Sequence, residues 1–157
     1  MSIKYPSNLL TPMRRGLIEF AQSLHPTHDL TLNFHDYYRP DVALDRLTRW
    51  YRQLLRRLFG RRCYQVPSDQ LFEFVAFPEF SLAGHPHFHC AARIPESHLR
   101  YFTKIAADRW KAFVPTGSLF LQPIKPTDGD QLRQLSYITK SASARDLIHS
   151  SMLLPVT

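Results

Sequence analysis

LFEFVAFPEF (residues 71–80), SLAGHP (residues 81–86) and HFHCAARI (residues 87–94) run consecutively. The first and third stretches are rich in aromatic and strand-favouring residues. The second carries Ala83 and Gly84 and reads as a tight connection, so the three together predict a β-hairpin. Successive strand residues face opposite ways, which turns Phe88, Cys90 and Ala92 into a core and leaves His87 and His89 side by side on the other face. Two imidazoles so placed are hard to explain by packing and easy to explain as metal ligands. Glu79 ends the first strand, and a short turn returns it beside the histidines. Two histidines and one carboxylate leave positions open for a phosphate oxygen and water, which suits Mn²⁺ or Mg²⁺, with Zn²⁺ as a competitor. The same residues allow a plainer arrangement, with His85 as a ligand instead, or with exposed loop histidines and Glu79 a solvated carboxylate.

Outward from the hairpin, Leu30, Leu32 and Phe34 alternate with Thr31, Asn33 and His35, as in a strand with one apolar face. Residues 41–59 carry Val42, Leu44, Leu47, Trp50, Tyr51, Leu54, Leu55 and Leu58 at helical spacing, and Gly60 closes that helix. A helix over about 97–113, a strand from Gly117 to Ile124 and a helix from Gln131 to about Lys140, capped by Asp128, complete the order. The core order is β-α-β-β-α-β. It predicts an α+β, ferredoxin-like (split βαβ) antiparallel sheet with helices on one face and the other face open for a substrate. Before it, residues 1–10 read as an arm, and Met13–Leu24 as a short helix started by Thr11 and Pro12 and ended by Pro26. The expected organisation is an N-terminal arm and helix over 1–27, the domain proper over 28–142, and a C-terminal tail over 143–157.

The 157 residues are about one domain's worth, and 44% hydrophobic with 13% aromatic content describes a folded chain. Lys and Arg number 20 against 13 Asp and Glu, a formal charge of +7, which suits nucleic acid first and an acidic membrane surface second. Cys63 and Cys90 are far apart and in no metal-type spacing, so a disulfide scaffold is not expected and a reducing compartment is. No run approaches the roughly 18 apolar residues of a membrane span. Lys4, Pro6 and Asn8 precede any apolar stretch, unlike a signal peptide. Arg49, Arg52 and Arg56 align on one helix face, with Arg61 and Arg62 just beyond; they are candidate phosphate contacts, or simply the solvated side of an amphipathic helix. Tyr37 and Tyr38 are candidate stacking partners for unpaired bases, or core.

Tyr137 and Lys140 are three apart on the last predicted helix and so share a face. Taken alone, that pair describes packing and solvation. Joined to the strand LTLNF (Leu30–Phe34) and to Pro86–His89, in which two histidines flank a bulky apolar residue, the YITK of Tyr137–Lys140 completes three motifs in order. The chain in this respect resembles the HUH endonucleases, and among them the single-tyrosine rolling-circle replication initiator (Rep) proteins. The resemblance spans about residues 28–142. It implies that Tyr137 is a nucleophile that attacks a DNA phosphate and becomes joined to the 5′ end, leaving a free 3′-OH. It also implies that Glu79, His87 and His89 hold the metal that polarises the phosphate, and that Lys140 is an auxiliary cation.

The implied partners are single-stranded DNA at an origin or element end and a host helicase and polymerase, since no phosphate-loop motif occurs here. No membrane partner is expected. The implied location is the cytoplasm of a prokaryotic host, or the nucleus for a eukaryotic virus. Residues 1–27 are not explained by the family core, and a single candidate tyrosine fits two-tyrosine relaxases and phage initiators less well. Single-tyrosine HUH transposases stand second, because their nucleophile helix is usually not followed by this lysine spacing. A non-catalytic nucleic-acid-binding module of the same fold would not need the Glu79–His87–His89 set, and a zinc hydrolase using water would not need Tyr137.

Overall fold

The computed structural model describes residues 11–125, 127–140 and 146–156; the arm expected over residues 1–10 lies outside them. Elements follow in the order α1 (Pro12–Ser23), β1 (His28–Asn33), α2 (Pro40–Phe59), β2 (Glu73–Phe80), β3 (Pro86–Arg93), α3 (Glu96–Phe113), β4 (Ser118–Pro123), α4 (Asp128–Ile138) and β5 (Ile148–His149). The strands form one antiparallel sheet in the order β4-β1-β3-β2-β5. β1 and β2 run the same way with β3 between them, and β3 and β4 likewise flank β1. These are two split βαβ units, the ferredoxin-like arrangement.

Local chemistry sets the helix ends. Thr11 Oγ1 accepts from Arg14 N at 3.3 Å ahead of Pro12, a residue whose fixed φ suits a first helical turn. Gly60 closes α2 at φ +79°, a conformation that a Cβ would strain. Thr127, not Asp128, stands at the cap position of α4, and its hydroxyl donates to Asp130 at 2.7 Å.

The main core lies between α2, α3 and one face of the sheet. Leu47, Trp50 and Leu54 of α2 and Phe102, Ala106 and Trp110 of α3 pack on Leu30, Leu32, Phe74, Ala76, Phe88, Cys90 and Ala92. Trp50 Nε1 donates to Ala106 O at 3.1 Å and ties the two helices together. Trp110 Nε1 donates to Asn33 O at 2.9 Å and pins the end of β1. That approach requires Gly117, where a Cβ would come within 2.6 Å of Trp110 Nε1 and 2.9 Å of Asn33 O.

The other face was expected to be open, and the structure corrects this in part. Leu17, Ile18 and Ala21 of α1, Leu24 just after it, and Leu135 and Ile138 of α4 cover Val75, Phe77 and Ala91. Arg14 donates to Ser136 O at 2.7 Å and links the two helices. The cause is compositional: β2 is apolar on both faces over residues 74–77, and such a strand must be covered on both. The described part of the expected C-terminal tail adds β5 against β2 and a short 3₁₀ turn, Ser150–Leu153. Ser150 Oγ there accepts from Phe74 N at 3.1 Å. Among the described residues no helix is long and apolar enough to cross a membrane.

Candidate metal centre and active site

Glu79 and His87 are direct cross-strand partners of β2 and β3, as the hairpin predicts. His89 lies one pleat further, between Phe77 and Thr31. Glu79 Oε2 stands 3.1 Å from His87 Nε2 and 3.2 Å from His89 Nε2. The three ligand atoms all lie within 4.8 Å of one another. Neighbouring ligands on a metal bound at about 2.0–2.2 Å are themselves roughly 3.0–3.4 Å apart, so the carboxylate already sits at ligand spacing from both rings. His85, the alternative ligand, instead closes the hairpin turn through backbone bonds with Ser81 and is not in the cluster.

Electrostatics favours the ligating forms. Burial, then the neighbouring His87, holds His89 below the usual histidine range, against the pull of Glu79. The ring is therefore neutral at pH 7, the form that binds a metal. Burial pushes the Glu79 carboxyl up, but His87, His89 and Lys140 together outweigh it and hold it below the ordinary value. A carboxylate and two imidazoles form a mixed oxygen and nitrogen set that fits a divalent cation.

Tyr137 is more than half exposed, and its ring meets the His89 ring edge to face with 5.7 Å between their centres. It is not a core tyrosine. Lys140 does not share a helix face with it as expected. α4 stops at Ile138, Thr139 Oγ1 donates back to Leu135 O at 2.8 Å, and the turn carries Lys140 Nζ to 4.4 Å from the centre of the Tyr137 ring. The juxtaposition survives; its cause is a helix end rather than helical spacing.

The five arginines are not brought to this cluster. Arg49, Arg52 and Arg56 ride on α2, behind the opposite face of the sheet, and Arg61 and Arg62 are exposed in the turn after it. Arg49 pairs with Asp45 at 2.9 Å, and Arg52 Nε donates to Leu153 O at 2.6 Å. Tyr38 packs edge-on against Phe34 at 4.9 Å, whereas Tyr37 is exposed beside Gly84.

Sequence reasoning missed the residues that extend the site across the sheet. One row runs Ser118, Asn33, His87, Glu79; the next runs Phe120, Thr31, His89, Phe77. Phe120 is 57% exposed and stands two strands, roughly 10 Å, from His89. Ser118 Oγ lies 2.7 Å from His35 Nε2 and 3.4 Å from Asn33 Nδ2. The alternation of SLFLQ carried the signal: Leu119 and Leu121 take the core face, which turns Phe120 outward. Compared with known proteins, the chain matches no family model, no curated protein and no solved structure.

Proposed function

We propose that this domain nicks and rejoins single-stranded DNA through a 5′-phosphotyrosine intermediate, as single-tyrosine HUH replication initiators do. The observation that carries the proposal is the exposed Tyr137 ring set against His89 of a three-ligand cluster, with Lys140 over the same ring. Glu79, His87 and His89 would hold a divalent cation, Mn²⁺ or Mg²⁺, whose chemistry is to polarise a non-bridging phosphate oxygen. Tyr137 Oη forms a bond to phosphorus, the P–O3′ bond breaks, and the phenolic proton leaves to solvent as the 3′ oxygen gains one. Lys140 favours the phenolate and the extra charge of the transition state. The outward Phe120 and the polar Asn33, Ser118 and His35 offer a stacking and hydrogen-bonding path for an unpaired strand.

The test is incubation with a pool of single-stranded oligonucleotides and Mn²⁺, read as a covalent protein–DNA band on a denaturing gel. The band is expected with wild type and lost with chelator, with the His87→Ala, His89→Ala double variant and with Tyr137→Phe. The last removes one oxygen from an exposed ring and leaves fold and metal binding intact. Nicking by Tyr137→Phe at the wild-type rate would show that water attacks, and a metal-dependent hydrolase would replace this proposal.

A further inference from the structure

His89 is buried, and each of its ring nitrogens faces one side chain: Nε2 faces Glu79 Oε2 at 3.2 Å, and Nδ1 faces Thr31 Oγ1 at 3.4 Å. Thr31 is the direct partner of His89 across β1 and β3, with Phe120 on its other side. Resting on the reading of Glu79, His87 and His89 as a metal centre, we propose that Thr31 is the positioning residue that sets the tautomer and aim of His89. A neutral imidazole has one N–H donor and one acceptor nitrogen. Without a cation, the Glu79 carboxylate accepts from Nε2–H, so Nδ1 must accept, and the Thr31 hydroxyl donates to it. A cation on Nε2 needs the lone pair there. The ring proton then resides on Nδ1, and the same hydroxyl turns to accept it.

A hydroxyl serves both states without moving its oxygen; a methyl serves neither. The buried ring has little water to fall back on, and an unpaired polar nitrogen there is costly. Partners of the second ring nitrogen commonly fix a metal-bound histidine in this way.

Thr31→Val keeps the shape and the strand preference and removes only the hydroxyl's chemistry; Thr31→Ser restores it. Titration calorimetry with Mn²⁺ is expected to show Thr31→Val weakened on the order of 10–100-fold and Thr31→Ser close to wild type. Nitrogen-15 NMR of the metal-free wild type is expected to show His89 as the Nε2–H tautomer, with the mixture shifted in Thr31→Val. Wild-type Mn²⁺ affinity in a folded Thr31→Val overturns the proposal and leaves the metal centre standing. No Mn²⁺ binding by wild type overturns both. An Nδ1–H tautomer in the metal-free wild type overturns the role of Thr31 even if the valine variant fails to fold.

Discussion

Replacing Asp29 with asparagine should stabilise the protein at neutral pH and leave it unchanged in acid. Asp29 lies on β1 in the same face as Thr31, opposite Ala91 and Gln122, and is 9% exposed. Its Oδ1 is buried with no hydrogen-bond partner, and burial raises the carboxyl from 3.8 to about 6. The folded state therefore holds its proton more tightly than the unfolded chain. Below about pH 3.8 both states are protonated and folding bears no penalty. The unfolded chain ionises first as pH rises, stability falls, and above about pH 6 the loss is complete. At about 1.4 kcal/mol per pKa unit the ceiling is about 3 kcal/mol. Asparagine has polar atoms of its own to satisfy, so a gain of roughly 1–3 kcal/mol is expected at pH 7.5, or some 2–10 °C in Tm for a chain of this size. Thermal denaturation of both proteins at pH 3.5, 5 and 7.5 measures it. A variant that is less stable at pH 7.5, or equally shifted at every pH, would refute the assignment of Asp29 as a buried carboxyl held against its charge.

Phe120→Ala should weaken single-stranded DNA binding by about 1–3 kcal/mol, the worth of one stacked base, with Mn²⁺ affinity unchanged. Fluorescence anisotropy reads the first and calorimetry the second; unaltered DNA affinity removes Phe120 from the strand's path. Arg52→Ala should cost about 1 kcal/mol of stability through the lost bond to Leu153 O and leave the salt dependence of DNA binding as it was. A salt slope lower by about one with unchanged stability would instead make Arg52 a phosphate contact.

Features that are periodic or nearly local were legible in the chain before folding. Alternation placed His87 and His89 on one face, and the short turn around Gly84 returned Glu79 beside them, because strand period and hairpin closure act over a few residues. The same periods placed the helices and strands of the split βαβ order within a few residues of their observed ends. Tertiary structure decided the rest. Whether the second face stayed open depended on where α1 and α4 docked, and only the two-sided apolar run at residues 74–77 hinted at cover. The turn after Ile138 set Lys140 over Tyr137, where helical spacing alone would have put it on the helix. Arg52 stands on α2 as a candidate phosphate contact or solvated side chain, and only the fold gives its Nε a carbonyl 101 residues away. Thr31 and Asp29 acquire meaning only through pairing with β3, 58 residues away in the case of Thr31 and His89. Register between distant strands and the docking of helices are fixed by the whole core at once, and no local window of residues contains that information.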